Sequence, residues 1–261
     1  MSKLIRQKTS PSRQDFGLWA VLAKHHGAGA VLPRHQHRTG QLVFALEGVM
    51  LVETNAARWT VPPQRALWLP PEQPHAIQVL SAVELRTLYC QPALLAQCPA
   101  FVQADTVHAV VASPLIRELV LGLFDPRFEL PTRALMVRLL LHTLQQTLAL
   151  PTLLPMPHSE GLRRAVGEWL AQRQWHAPLS DLASSAAMSE RSFSRHFSAE
   201  VGLSWRAWRQ QARLIASIDL LWRGLPVKVV AHQLAFANAA AYIAAFRGLM
   251  GATPSSFQKD R

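Results

Sequence analysis

Leu179-Ser180-Asp181-Leu182-Ala183, followed by Met188-Ser189-Glu190-Arg191-Ser192-Phe193-Ser194-Arg195-His196-Phe197, decides how this chain is read. Leu182, Ala183 and Ala186 make one apolar face behind Ser180, a residue type suited to N-capping, so a short helix is expected there. Met188-Ser189 reads as a turn, and Ser189 can cap a second helix from Glu190 to about Glu200. Phe193 and Phe197 fall on one stripe of that helix; Arg191, Ser194 and Arg195 lie on the other side. Gly202 supplies the stop. A similar unit follows. Pro226-Val227 opens a helix with Val229, Val230 and Leu234 inside, and Asn238 caps a further helix carrying Ile243 and Phe246. Short helix, turn and capped second helix is the helix-turn-helix pattern, here at 179–200 and again at 226–249. One such unit alone fits an ordinary helical bundle equally well; two units in a basic chain favour DNA binding.

Outward from this stretch, Ser204 to Arg223 reads as one long helix joining the two units. Trp205, Trp208, Leu214, Ile215 and Leu221 lie on its inner side, and Arg213 is expected as a buried ion-pair partner. Ser159 is placed to cap a helix from Glu160 to about Gln174. Before it, Pro151, Pro155 and Pro157 keep a linker extended. Pro114–Val120 and Pro131–Leu150 read as helices. In the second of these, Leu135, Leu139, Leu140, Leu144 and Leu148 form an apolar stripe that fits either the domain core or a homodimer contact. Upstream, Leu18–Leu22, Ala28–Leu32, Gln41–Leu46, Val49–Thr54, Ala66–Leu69, Ile77–Leu80 and Leu85–Tyr89 are short runs separated by turn residues. That spacing predicts an all-β sandwich or barrel. Trp59, Trp68 and Phe44 are expected in its core, with a pocket wall as the alternative. Residues before about Asp15 are polar and expected to be loose.

The chain has 261 residues and a formal charge of +11 from 27 Lys and Arg against 16 Asp and Glu. Up to Pro157 there are 14 basic and 9 acidic residues; beyond it there are 13 and 7, an excess of +6 in the shorter part. That density suits a polyanionic partner. No run of 18 apolar residues and no signal-peptide core is present, so a soluble, cytoplasmic protein without membrane contact is expected. Cys90 and Cys98 fit no zinc spacing and read as reduced thiols.

The C-terminal stretch also resembles the AraC/XylS family of bacterial transcriptional regulators. The resemblance runs from near Gly161 to Phe257. It rests on Leu179-Ser180-x-Leu182-Ala183, Met188-Ser189-x-Arg191-x-Phe193-x-Arg195-x-Phe197, Gly202, Trp208, Arg213-Leu214, Phe246-Arg247 and Gly251-x-Thr253-Pro254-Ser255. It implies base-facing positions at Arg191, Ser194 and Arg195 in the first unit and at Ala239, Ala240 and Ala244 in the second. Ser189, Glu190, Ser192, Lys228, Asn238, Tyr242 and Arg247 complete the expected DNA-binding set, as caps or phosphate contacts. The second turn has Ala235-Phe236 where the family usually has Gly-Tyr. Resemblance to this class also supports pairing through the N-terminal half.

A second resemblance lies near the N-terminus. Gly29-Ala-Val-Leu-Pro-Arg-His35-Gln-His37-Arg-Thr-Gly-Gln41, followed by Gly48, is similar to the first cupin motif, with Gln41 at the acid position. Pro70-Pro-Glu-Gln-Pro-His75 resembles part of the second. Residues two apart on a strand share a face, so His35 and His37 can both point inward. With Gln41 and His75 they form a candidate site for a divalent transition metal, Zn, Ni, Cu or Fe. Direct contact with an organic effector, or a purely structural role, remain alternatives.

The expected fold is α+β: a cupin-like β-barrel sensor at 1–110, a helical coupling and linker segment at 111–157, and an all-α DNA-binding domain at 158–261. The expected function is a one-component transcriptional regulator, not an enzyme, that binds double-stranded DNA and senses a small molecule or metal ion. RNA polymerase is a possible partner. The competing readings are a cupin metal enzyme of dioxygenase type and an architectural DNA binder without effector.

Overall fold

The computed structural model describes residues 13–98, 105–145 and 153–258. The strands in chain order are β1 (Arg13–Asp15), β2 (Trp19–His26), β3 (Val31–His35), β4 (Gly40–Glu53), β5 (Ala57–Val61), β6 (Arg65–Leu69), β7 (His75–Cys90), β8 (His108–Val111) and β9 (Leu153–Pro155). The helices are α1 (Pro92–Ala96), α2 (Pro114–Gly122), α3 (Leu130–Gln145), α4 (Glu160–Ala171), α5 (Leu179–Ser185), α6 (Glu190–Val201), α7 (Trp205–Trp222), α8 (Val227–Gln233) and α9 (Ala239–Met250), with a 3-10 turn at Pro254–Phe257. The fold is α+β, and it separates into two compact units: residues up to 50 with 61–149, and residues 51–60 with 150 onward.

In the first unit β7 is the longest strand. Along one edge it pairs antiparallel with β2 through Val83–Cys90 and with β3 through His75–Gln78. β4 lies on its other side, β6 pairs with β4, and β8 pairs with β6. The sequence predicts separate runs at 41–46 and 49–54, and at 77–80 and 85–89; each pair is instead one continuous strand. Gly48 explains this. Its φ is +83°, and a Cβ there would lie 2.1 Å from the Ala82 carbonyl oxygen of β7. The left-handed residue bends β4 where it passes close to its neighbour and does not end it. Alternation then sets the faces. Leu42, Phe44, Ala66 and Trp68 enter a core with Ile116, Val120, Val137, Leu140 and Leu144 of α2 and α3. Gln41 and Val43, being odd, face the other way. Trp59, Trp68 and Phe44 are all buried as expected. The leucine stripe of α3 divides. Leu140 and Leu144 are buried, Leu135 is 69% and Leu139 46% exposed, and Leu148 lies outside the described residues.

In the second unit β9 pairs with β5. Trp208 Nε1 of α7 donates to Pro155 O at 2.6 Å, and Gln211 Nε2 donates to Leu153 O at 2.6 Å. The segment read as a plain linker is therefore hydrogen-bonded over Leu153–Pro155. Arg163 of α4 donates to Asn55 O at 2.6 Å and pairs with Glu53 at 3.0 Å. Two expected caps differ. Helix α5 begins two residues early, with Pro178 in place of Ser180 at its N-cap, and the Ser180 hydroxyl donates to Asp181 Oδ1 at 3.3 Å. Ser159 makes no side-chain cap; Glu200 Oε2 accepts the backbone N–H groups of His158 at 2.8 Å and Ser159 at 3.0 Å, charge-assisted bonds that tie down the chain just ahead of α4.

Candidate functional site

The first site is a three-histidine cluster. His35 ends β3 directly opposite His75, which begins β7, and His37 follows two residues on. The ring centroids are 4.4 Å apart for His35 and His75, 4.9 Å for His35 and His37, and 5.6 Å for His37 and His75. One nitrogen from each ring lies within 4.8 Å of the others. His75 Nδ1 meets Gln73 O at 2.9 Å and His35 Nδ1 meets Pro33 O at 2.7 Å. A carbonyl can only accept, so both Nδ1 atoms carry the proton and leave Nε2 with a lone pair. His37 Nε2, His75 Nε2 and Gln41 Oε1 are buried with no hydrogen-bond partner among the described residues. Burial lowers the His75 imidazole to about 4, and burial, with His35 and Arg13 adding, also lowers His37. Both rings are neutral at pH 7 and able to donate lone pairs. A buried set of orphaned acceptors is costly unless something fills it, and the donor types fit a transition metal ion. Sequence reasoning missed Tyr89. Its ring meets His37 at 5.2 Å, edge-on, with the Arg13 guanidinium 4.9 Å over it. Alternation on β7 placed Tyr89 on the histidine face, but nothing local in the sequence joined it to β3.

The second site is the pair of helix-turn-helix units. Their turns share one construction. Ala187 has φ +55° and Ala235 φ +60°. Met188 N donates to Ala183 O at 2.8 Å, and Phe236 N to Ala231 O at 3.0 Å. Thus the second turn takes the left-handed bend without a glycine. Ser189 Oγ then caps α6 by accepting from Ser192 N at 3.2 Å, and Asn238 Oδ1 caps α9 by accepting from Ala241 N at 2.8 Å. Both helices end on a left-handed glycine, Gly202 and Gly251. The turns are offset by 48 residues (187 to 235) but the caps by 49 (189 to 238), because the second turn carries one extra residue.

That extra residue shifts the register of α9. Arg191 matches Ala240, Arg195 matches Ala244, and Ser194 matches Ile243; Ala239 matches Glu190. Sequence reasoning had Ala239 on the outward face and missed Ile243, a large hydrophobic residue exposed to solvent. Arg191, Arg195, Ala240, Ala244, Lys228 and Arg247 are exposed; Ser192, Ser194 and Ala239 are half-buried, and Glu190 is exposed beside the cap. Tyr242, expected near DNA, is fully buried at the position matching Phe193, packed on Phe236 and Phe246. It is a core residue. Val229, expected inside, is exposed. Among the described residues Arg213 makes no ion pair of the kind expected. Its guanidinium lies 4.1 Å over the Phe236 ring, and Nε donates to the Leu234 carbonyl, so it holds the second turn.

A family model described as an AraC-like ligand binding domain matches residues 21–156, and one described as a helix-turn-helix domain matches residues 182–260. The HTH-type transcriptional regulator NimR of Escherichia coli K12 is 36% identical over 236 residues, which is 86% of this chain and 81% of NimR. The HTH-type transcriptional regulator RipA of Corynebacterium diphtheriae is 27% identical over 106 residues, 41% of this chain and 32% of RipA. Among solved structures, ToxT from Vibrio cholerae O395 aligns over 92% of this chain and 96% of its own at 10% identity, with a TM-score of 0.39, too distant to inform either site.

Proposed function

This chain belongs to the AraC/XylS family of transcriptional regulators, with a ligand-binding domain ahead of a helix-turn-helix DNA-binding domain, and from that premise we propose that α6 and α9 are its recognition helices and the three-histidine cluster its effector site. The observation that carries the DNA assignment is the repeated construction of the two units, which gives α6 and α9 matching outward faces. On α6 that face presents Arg191 and Arg195, each able to bond guanine bidentately, with Ser194 as an unspecific donor. On α9 it presents Ala240, Ile243 and Ala244. Ser189, Glu190, Ser192, Asn238 and Ala239 sit at the helix starts, where backbone N–H groups meet phosphates; Lys228 and Arg247 are the flanking cations. We read the sensor as 1–110, the coupling segment as 111–157 and the DNA-binding part as 158–261; the ligand-binding-domain match runs on through the coupling segment to residue 156. Its relatives are transcriptional regulators rather than enzymes.

The effector reading rests on His37 Nε2, His75 Nε2 and Gln41 Oε1, which with His35 would hold a divalent transition metal; such an ion supplies Lewis acidity and a fixed charge there. These residues bind and orient the ion, and Tyr89 closes one wall. We also place a homodimer contact on the exposed Leu135–Leu139 face of α3, the protein in the cytoplasm, and RNA polymerase among its partners. No helix of the described residues is long and apolar enough to cross a membrane.

The decisive experiment is DNA footprinting of the full chain with its affinity measured across salt. The two recognition helices are expected to protect successive major grooves on one face, about 34 Å apart. Affinity should fall roughly a thousandfold between 50 and 200 mM salt for about six phosphate contacts. Protection of less than one helical turn per protomer, or a shallow salt slope with specific binding intact, would overturn the reading.

A further inference from the structure

We propose that the three-histidine pocket takes its metal ion together with an anionic effector of carboxylate type, the anion supplying the negative charge that Gln41 does not, with Arg13 as the second cation that receives it. This rests on the metal reading above and goes beyond it by naming the chemistry of the effector.

Charge is the reason. Among the described residues no carboxylate joins the group formed by His35, His37 and His75. At the acid position of the cupin-like motif stands Gln41, an amide on a residue only 4% exposed, whose Oε1 is buried without a hydrogen-bond partner among the described residues. No protein donor therefore brings a negative charge, and His75 is itself only 1% exposed. A divalent ion bound there would keep its whole charge in a poorly solvated place, which is unfavourable without a counter-charge. Three imidazoles would leave a fourth position that a neutral amide oxygen holds only weakly, and such a position binds anions well.

The rim adds to this. Arg13 on β1 lies over Tyr89, and Tyr89 abuts His37. The Arg13 guanidinium makes only a loose ion pair with Asp15, at 3.9 Å between two half-exposed side chains. Its positive charge is felt at His37. With the metal present, two positive centres would flank the pocket. An anion that ligates the ion and faces Arg13 satisfies both. The ion and the anion then bind cooperatively, and by linkage each raises the other's affinity by the same factor. The sensor would respond to the pair rather than to either alone.

The test titrates Co²⁺ into the tag-free full chain, following its visible d–d absorption, with no added anion, with azide and with acetate. In the wild type the anions should tighten Co²⁺ tenfold or more and change the spectrum. Gln41→Glu should bind Co²⁺ tightly with no anion and lose most of the anion effect. Arg13→Gln should keep the anion-free Co²⁺ affinity and weaken the anion effect. Tight wild-type Co²⁺ binding that neither anion alters would overturn this inference and leave the metal site standing. No Co²⁺ spectrum under any condition overturns the metal reading, and this inference with it. The wild-type titration decides the matter even where a variant folds poorly.

Discussion

Ala187 and Ala235 occupy left-handed backbone, at φ +55° and +60°, where a Cβ is crowded against its own carbonyl. The bend is forced by what flanks it: Phe236 N must reach Ala231 O, and Arg213 clamps both Leu234 O and the Phe236 ring. Replacing Ala235 with Gly should therefore stabilise the protein by about 0.5–1 kcal/mol, read as a higher urea midpoint with DNA affinity unchanged. A lower midpoint would show that Ala235 is not strained. A second residue-scale expectation concerns His108 on β8. Burial lowers its imidazole below the usual 6.5, although its Nδ1–H donation to Thr106 O at 2.9 Å opposes this. The unfolded chain then binds the proton more readily than the folded one. Stability from this residue is complete above about 6.5 and is lost as pH falls toward the depressed folded value. His108→Asn, which can keep the donation to Thr106, should flatten the loss of unfolding midpoint between pH 7 and 5. An unchanged slope would remove His108 as a cause.

At the scale of elements, α6 and α9 share a cap, a buried aromatic stripe and a glycine stop, yet differ completely in outward chemistry. Loss of either Arg191 or Arg195 should cost about 1–3 kcal/mol of specific affinity and relax preference at one base pair. On α9 the outward groups are methyls, with Ile243 the largest, so the contact open to it is the thymine methyl. Replacing single thymines by deoxyuracil under α9 should weaken wild-type binding at one or two positions, and Ile243→Ala should abolish that sensitivity. Equal hydrogen-bond-type preferences in both half-sites would show that α9 reads by Asn238 or Arg247 instead. Apolar periodicity revealed these helices in the sequence. On α9 the Asn238 cap set the start and Ala240 and Ala244 stand where the sequence put them, but the one extra turn residue leaves Ala239 beside the cap and turns Ile243 outward.

At the scale of the molecule, the second unit does not begin where its first helix does. Trp208 is fully buried, and its Nε1–H donates to Pro155 O; Met156, next in the chain, is also buried. A fragment beginning at residue 158 should thus be about 1–3 kcal/mol less stable than one beginning at 153, through an orphaned indole N–H and lost packing. Equal melting temperatures would restore 158 as the natural boundary. The exposed Leu135 and Leu139 of α3 carry the last expectation. Leu135→Glu should shift a dimer to monomer in sedimentation without lowering the melting temperature by more than a few degrees, since the side chain contacts little within its own unit.

What the sequence determined by itself was local and periodic. Helix stripes, turn residues, caps such as Ser189 and Asn238, and the His-x-His pair two residues apart on a strand all depend on near neighbours, so they were legible without a fold. Tertiary structure decided what depends on distant partners. It set His35 opposite His75 across the β3–β7 pair, turned Tyr89 onto His37 with Arg13 over Tyr89, buried Tyr242 and exposed Ile243. It merged runs into the single strands β4 and β7 by letting Gly48 pass the Ala82 carbonyl. It also gave Arg213 an aromatic ring in place of an acid. Side-chain type and spacing constrain which faces exist, but which face meets which is fixed only when strand register and turn length close the long-range contacts.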